Sequence, residues 1–123
     1  MFTTNFTAEE FACNCKCGYG LKEGDVNPRL LDLLEFIRIE SGPLHLNSGC
    51  RCESWNERSG GSPTSSHKRG NAADLRAFTP QQRWVIITRA LAWGCVRFEI
   101  GRRYIHIDVD PDLPQKFIGF NPD

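Results

Sequence analysis

The 123-residue sequence lacks net charge and long apolar runs, and each absence excludes a class of protein. Fifteen Lys and Arg residues balance fifteen Asp and Glu residues, so the molecule has no large positive field with which to attract nucleic acid or anionic lipid. No window approaches the roughly 18 consecutive apolar residues of a membrane-spanning helix. We therefore expect neither a nucleic-acid partner nor insertion into a membrane.

The N-terminal residues 1–6 also lack the basic and apolar regions of a secretory signal peptide. We expect the chain to be made in the cytoplasm without a signal peptide. Its length and its hydrophobic content of 40% suffice for one compact core and not for two. The expectation is therefore a single domain over residues 1–123. We separately expect it to be a monomer, which neither length nor composition decides.

Six cysteines are many for a cytoplasmic protein, and they are unevenly placed. Three of them lie close together in the N-terminal part, two lie near the middle and one stands apart: Cys13, Cys15 and Cys17, then Cys50 and Cys52, then Cys95. Reduced, buried thiols are one interpretation. A disulfide between the first two groups, formed after release into an oxidising space, is a second, and a structural zinc site is a third, although Cys-x-Cys spacing matches zinc sites less well than Cys-x-x-Cys.

Local signals predict helices separated by strands. A capping box at Thr7 and Glu10, and prolines at positions 28 and 80, mark three helix starts. The predicted helices are residues 7–12, 28–41 and 80–93, with at most one short helix near 55–58 in an otherwise polar loop. Alternating or apolar runs predict strands at residues 44–47, 72–77, 96–100 and 104–109, the last two joined as a hairpin. This order favours an α+β fold with a small antiparallel sheet and flanking helices.

A histidine, a strand carboxylate and a distant second histidine form the chemically informative pattern. His67 ends the polar loop, and Asp74 lies on the predicted strand that follows it. His106 lies on the second strand of the predicted hairpin. Two imidazoles and one carboxylate form a three-ligand zinc site whose fourth position is open to water, which is the arrangement of catalytic zinc.

Three ordered segments that contain these residues resemble the M15 zinc peptidases. They are residues 48–51 (SGCR), 65–74 (SSHKRGNAAD) and 105–108 (IHID). This family includes D-alanyl-D-alanine carboxypeptidases, dipeptidases and bacteriophage endolysins with a hedgehog-like fold, and the resemblance runs over residues 11–108. It is closest to the short phage and prophage members. The resemblance implies that His67, Asp74 and His106 bind one catalytic zinc ion.

The same resemblance suggests residues that bind the substrate. Arg51 falls where the family places an arginine that binds a substrate carboxylate, a role that suits the bidentate guanidinium group. Ser65 matches a serine two residues before the first ligand, where it either holds a polar group of the peptide or supports the loop. Asn56 matches an asparagine for which a structural hydrogen bond to the loop is the favoured role.

The general base is where the sequence departs from the family. The best-studied members carry Asp or Glu three residues before the last histidine ligand, and this chain has Arg103 there. Glu99 is the favoured candidate, because it resembles a glutamate at the zinc site of hedgehog-type domains. Asp108 is the competitor, because alternate residues of a strand share a face and Asp108 would lie beside His106.

The resemblance implies a zinc peptidase that hydrolyses peptidoglycan stem peptides, either as a D-Ala-D-Ala carboxypeptidase or as an L-Ala-D-Glu endopeptidase. A phage or prophage lytic enzyme would act on the cell wall after release from the cytoplasm. The alternative is a catalytically silent, zinc-containing binding module of the hedgehog type, which Arg103 favours. A third interpretation, a disulfide-stapled extracellular protein with incidental histidines, predicts no bound metal.

Overall fold

Four α-helices form in the computed structural model, which describes residues 2–121. They confirm the predicted helices, with ends that differ by a few residues at most. Helix α1 spans Ala8–Phe11, α2 spans Pro28–Ser41, α3 spans Glu53–Arg58 and α4 spans Pro80–Trp93. A 3-10 helix also forms over Ser66–Arg69, inside the segment that the sequence predicts as loop.

The two long helices begin where a side chain bonds a free backbone N–H group of the first turn. The Asn27 side chain accepts a hydrogen bond of 2.9 Å from the N–H of Arg29 at the start of α2. At the start of α4, the Thr79 hydroxyl accepts from the N–H of Gln82, and the Gln82 side chain accepts from the N–H of Thr79, both at 3.1 Å. These caps fix the ends of the two helices that cover the core.

Five strands form one sheet in the order β1-β2-β4-β3-β5. The strands are β1 Leu46–Ser48, β2 Ala72–Arg76, β3 Arg97–Ile100, β4 Tyr104–Asp108 and β5 Phe117–Phe120. The predicted hairpin of β3 and β4 is present, and β2 and β1 extend it with antiparallel pairing. The α+β fold class is therefore confirmed.

The fifth strand differs from the expectation and makes the sheet mixed. β5 pairs in parallel with β3. Three of its four residues are exposed. A strand of this kind does not alternate between buried and exposed positions, so the sequence pattern that predicts a strand is missing. Bonds to distant residues hold it there: the N–H of Phe117 donates to the Val96 carbonyl at 3.0 Å, and Arg97 donates to the Pro114 carbonyl at 2.9 Å.

Strand β1 begins two residues later than predicted and contains a bulge. Leu46 faces Leu75 on β2, but Ser48 faces Asp74, so two steps along β1 match one step along β2. A bulge redirects the side chains that follow it and is common beside functional sites. Here the bulge places Ser48 next to Asp74.

Alternation along β4 separates the core from the opposite face of the sheet. Ile105 and Ile107 are fully buried and belong to the hydrophobic core, together with buried residues of α2 and α4. Tyr104, His106 and Asp108 point to the other face, because alternate residues of a strand do. Within residues 2–121, no helix is both long enough and apolar enough to cross a membrane.

Gly70 anchors the 3-10 helix to the segment that precedes α2. Its backbone is left-handed, with φ of 70° and ψ of 25°, and its carbonyl accepts from the N–H of Asn27 at 3.0 Å. A side chain at this position would collide with the backbone carbonyl of Asp25. Glycine is therefore required here by both conformation and space.

We expect Gly70→Ala to destabilise the protein by more than about 2 kcal/mol, since the left-handed conformation alone costs an L-residue roughly 1–2 kcal/mol and the collision adds to it. Gly94→Ala is the matched control. Gly94 is also left-handed, with φ of 108°, but nothing lies within 4 Å of its missing side chain. Denaturant unfolding of both variants measures the difference, and equal losses of stability would refute the role of close packing at Gly70.

Candidate metal centre and its cleft

Two of the three candidate metal ligands belong to a row of residues that crosses all five strands. Each neighbouring pair in the row is a pair of opposite residues in the sheet: Ser48, Asp74, His106, Glu99 and Gly119, in that order. Opposite residues of antiparallel strands have Cβ atoms about 4.5–5.5 Å apart. The register of the sheet thus places Asp74 and Glu99 on either side of His106.

His67 reaches this row from the 3-10 helix. Its side chain is buried, and its Nδ1 lies 2.7 Å from the Gly49 carbonyl oxygen. Because a carbonyl only accepts, Nδ1 donates a proton to it, which leaves Nε2 as the ring nitrogen that could bind a metal. That Nε2 lies 3.2 Å from Asp74 Oδ1.

His106 has a carboxylate at each ring nitrogen. Its Nδ1 lies 2.9 Å from Asp74 Oδ1, and its Nε2 lies 2.9 Å from Asp108 Oδ2. A metal-ligating histidine commonly donates its other N–H to a carboxylate, which fixes the orientation of the ring. Asp108 therefore stands where such a partner would, and Nδ1 is the nitrogen that faces His67 and Asp74.

The three side chains fit a divalent metal ion. One ligand atom from each of His67, Asp74 and His106 lies within 4.8 Å of the others. Two imidazole nitrogens and one carboxylate oxygen are ligands that zinc prefers. Among residues 2–121, no further His, Cys, Asp or Glu joins this group, so the donor set is that of a site with an open position rather than a closed structural one.

The carboxylates around His106 favour its protonated form. Burial lowers its pKa, but hydrogen bonds to Asp108 and Asp74 outweigh that effect and raise the pKa from 6.5 to about 9. Burial likewise opposes ionisation of Asp74, yet the neighbouring charge of His67 and bonds from both imidazoles hold its pKa well below the usual range. The metal-free site is thus an ion cluster in which a proton stands where a metal would bind.

We expect His106 of chelator-treated protein to titrate near pH 9. Zinc that binds at neutral pH must then displace a proton from His106. The zinc affinity of this site should therefore rise with pH, by up to about tenfold per pH unit, until about pH 9. NMR of the His106 ring between about pH 6 and 10 measures the titration. Asp108→Asn should lower the midpoint. A wild-type midpoint at or below about 6.5, the ordinary value, would contradict this prediction.

The raised pKa of His106 also affects the stability of the metal-free protein. Because the pKa of His106 in the folded state lies above its ordinary value of 6.5, its contribution to stability is complete below about pH 6.5 and disappears as the pH rises through about 9. Asp108 acts in the opposite direction. Hydrogen bonds from His106 and Ser66 outweigh burial and lower its pKa, so its contribution is lost on acidification.

Asp108 is held by several donors at once. It is buried, and besides His106 it accepts a hydrogen bond from the Ser66 hydroxyl and one from Arg97 Nε at 3.3 Å. Its Oδ1 accepts from the N–H of Asp110 at 2.9 Å. A carboxylate with this many donors is suited to orienting His106 and poorly suited to taking up a proton.

Glu99 is placed differently from Asp108. It is partly buried, it lines the cleft beside His106, and its opposite residue on β5 is Gly119, which has no side chain. A carbon added to Gly119 would lie 3.5 Å from Glu99 Cγ. That is an ordinary van der Waals distance, and the close approach of 2.8 Å at Gly119 is to the Phe117 ring.

Arg51 joins the metal group to the loop that contains α3. One guanidinium nitrogen lies 3.1 Å from Asp74 Oδ2, Nε donates to the Ser48 hydroxyl at 3.0 Å, and the third nitrogen lies 3.4 Å from Asn56 Oδ1. Asn56 is buried and donates to the Ser62 carbonyl at 2.8 Å. This bond confirms its predicted structural role.

Ser65 caps the 3-10 helix that carries His67. Its hydroxyl accepts from the N–H of His67 at 3.3 Å, which matches the loop-supporting interpretation. Ser65 also lines an open cleft with a volume of about 260 Å³. That cleft brings together every residue that the sequence analysis singled out for catalysis, substrate binding or metal binding: Arg51, Ser65, His67, Asp74, Glu99, His106 and Asp108.

Three residues around the site have roles that the sequence does not predict. Gly49, Ser66 and Arg97 hold His67 and Asp108 in place. Arg97 lies two residues before Glu99 on the same strand, so strand alternation could have placed it on the cleft face. No comparable signal marks Ser66, because its contact depends on the unpredicted 3-10 helix.

The two-histidine, one-aspartate group lines an open cleft and has a further carboxylate beside it, a donor set that resembles those of metal-dependent hydrolases. The chain belongs to the Peptidase M15 family, whose model matches residues 4–109. Peptidases of this family depend on zinc, and His67, Asp74 and His106 form the group in this chain that could hold it. A search of curated proteins found no match.

Proposed function

We propose that the protein is a zinc peptidase that hydrolyses peptidoglycan stem peptides, as a D-Ala-D-Ala carboxypeptidase or an L-Ala-D-Glu endopeptidase. The observation that carries the proposal is the group of His67, Asp74 and His106 in an open cleft, with Glu99 next to it in the row across the sheet. The M15 family membership supports peptide hydrolysis. The choice of peptidoglycan rests on the resemblance of the motifs to enzymes that act on it.

His67 Nε2, His106 Nδ1 and a carboxylate oxygen of Asp74 would hold the zinc. When bound there, zinc supplies a Lewis acid for the scissile carbonyl and acidifies water. Asp108 keeps the proton of His106 on Nε2 and thereby presents Nδ1 to the metal group. The Gly49 carbonyl does the same for His67 through Nδ1.

Glu99 is the proposed general base. It would take a proton from the attacking water and transfer it to the leaving amine, as a positioned carboxylate does in general acid–base catalysis. The argument is its place directly opposite His106, on the side away from Asp74, and in the lining of the cleft. Asp108 is proposed to position His106 instead, because its oxygens are already bonded to four donors.

Arg51 is proposed to bind a substrate carboxylate. It lines the cleft, and it is anchored through Ser48 and Asn56, so its guanidinium group is held beside Asp74. A guanidinium group binds a carboxylate through two parallel hydrogen bonds. A peptide held in this way would present a bond near its carboxylate to the metal group.

We further propose, from the resemblance to short phage and prophage members, that the enzyme acts on the bacterial cell wall after release from the cytoplasm. The cleft is lined largely by polar and charged side chains. Such a surface suits an extended, polar peptide that protrudes from a polymer. Ser65, at the edge of the 3-10 helix, is a proposed contact for the peptide backbone.

The test is hydrolysis of defined muropeptides by the purified protein, before and after chelation and after zinc is added back. New amines that appear with zinc, disappear with chelator and return with zinc support the proposal. Mass analysis of the products identifies the bond. A protein that binds muropeptides with zinc present but releases no amine would instead be the binding module that Arg103 favours.

We expect Arg51→Lys to reduce kcat/KM on peptides with a free terminal carboxylate by about 10- to 100-fold, since a bidentate charged bond is worth roughly 1.5–3 kcal/mol. The same peptides carrying a terminal amide provide the control. Wild type should lose activity on the amide, and Arg51→Lys should lose little more. An equal effect of the substitution on both peptides would exclude recognition of the terminal carboxylate by Arg51.

A further inference from the structure

A second cluster of metal-ligating side chains lies outside the cleft. It unites the N-terminal cysteine group with one cysteine from the second group: Cys13, Cys15, Cys17 and Cys52. All six cysteines of the chain are free thiols in the structure. One sulfur atom from each member of this cluster lies within 4.8 Å of the others.

The sulfur atoms are spaced as in a tetrahedral zinc site. Zinc–sulfur bonds of ~2.3 Å in a tetrahedron place the sulfur atoms ~3.8 Å apart. The Sγ atom of Cys13 lies 3.4 Å from that of Cys15 and 3.8 Å from that of Cys52, and the latter two are 3.6 Å apart. Each separation is far beyond the ~2.05 Å of a disulfide bond.

The clustered cysteines differ from two others that belong to the hydrophobic core. Cys50 and Cys95 are buried members of the hydrophobic core, where a thiol acts as a small apolar side chain. Cys13 is equally buried but lies outside that core cluster, whereas Cys15 and Cys52 are partly buried and Cys17 is exposed. Apolar packing therefore does not account for the convergence of four sulfur atoms near the surface.

Backbone N–H groups also point at two of the sulfur atoms. The N–H of Cys52 donates to Cys13 Sγ at 3.4 Å, and the N–H of Trp55 donates to Cys52 Sγ at 3.4 Å. The second bond caps helix α3. Donors directed at sulfur stabilise the thiolate, which is the form that binds a metal.

We propose that Cys13, Cys15, Cys17 and Cys52 bind a structural zinc ion, separate from the catalytic one. Four protein ligands close the coordination sphere, as in structural rather than catalytic sites. The ion ties the N-terminal segment to the chain beside Arg51, one residue before Cys52, and so stabilises the wall of the cleft. Up to four thiol protons are released to solvent as the ion binds.

The test is the zinc content of the reduced protein after dialysis against metal-free buffer. We expect two zinc ions per chain in the wild type and one in Cys15→Ser/Cys17→Ser. Removing the catalytic ligands with His67→Ala/His106→Ala should also leave one, so the two sites fail independently. Cys95→Ala, a cysteine outside the cluster, should retain both ions.

Two measurements on the wild type test the proposal even if a variant does not fold. Replacing zinc with cobalt(II) should produce the intense near-ultraviolet absorption of several thiolate-to-cobalt bonds, and chelator should make the clustered thiols reactive to an alkylating reagent. Equal zinc content in the wild type and in Cys15→Ser/Cys17→Ser, or cobalt spectra without thiolate absorption, would overturn the proposal. Two cysteines that resist alkylation until a reductant is added would do so as well, because they would form a disulfide.

Discussion

Replacing His106 by alanine is expected to remove the catalytic zinc and to lower kcat/KM by more than about 10³-fold. The substitution removes one of the three proposed ligands and leaves His67 and Asp74 without the imidazole that completes the group. Polarisation of the carbonyl and activation of water by zinc are together worth several kcal/mol, and each 1.36 kcal/mol is a factor of ten in rate.

His45→Ala is the matched control for this experiment. His45 is exposed and lies before β1, outside the metal group. Its replacement should change neither zinc content nor rate. If His106→Ala retained the catalytic zinc ion and hydrolysed muropeptides at a rate near that of the wild type, His106 would not be a ligand.

Glu99→Gln is the second substitution with a large expected effect. Glutamine keeps the size and position of the side chain but cannot take up a proton, so kcat should fall by about 10²- to 10⁴-fold while zinc stays bound. The measurement is kcat of the zinc-saturated variant, with metal content determined in the same sample. Loss of zinc together with activity would instead mean that Glu99 supports the metal.

Asp108→Asn is the informative comparison with Glu99→Gln. Asp108 bonds His106 Nε2 and is itself held by Ser66 and Arg97. Removing a carboxylate that orients a metal ligand typically weakens metal binding by 10- to 100-fold, so this variant should need more zinc for half-maximal activity. If saturating zinc failed to restore Asp108→Asn and Glu99→Gln were fully active, the roles would have to be exchanged.

The parts of the fold that the sequence predicts are those with local causes. Proline, a capping side chain and an apolar face within one segment suffice to place α2 and α4, and alternating residues around a glycine turn place the β3–β4 hairpin. The metal group is predictable for another reason. Its residues belong to motifs with fixed order and spacing, and these motifs carry information about chemistry that local propensity does not.

The parts that the sequence does not predict depend on distant contacts. β5 is exposed on most of its length and is placed by bonds to the Val96 carbonyl and to Arg97. The bulge in β1 depends on its partner strand. The sequence favours Glu99 over Asp108 only by resemblance, and the hydrogen bonds to Asp108 are what distinguish the two carboxylates in the structure.

The cysteine cluster also depends on a distant contact that the sequence does not predict. Sequence spacing leaves reduced thiols, a disulfide and a zinc site all open, because Cys52 is separated from Cys17 by a long stretch of chain that includes α2. Packing of α1 against β1 brings the two segments together. The backbone bond of 2.8 Å between the N–H of Cys50 and the Phe11 carbonyl fixes that approach.

The most direct test of the central claim is a crystal structure of the zinc-loaded protein with anomalous scattering recorded on both sides of the zinc edge. We expect an anomalous peak within bonding distance of His67 Nε2, His106 Nδ1 and an Asp74 oxygen, with solvent at the remaining position and Glu99 beside it. A saturated crystal without a peak there, or with a fourth protein ligand closing the site, would contradict it.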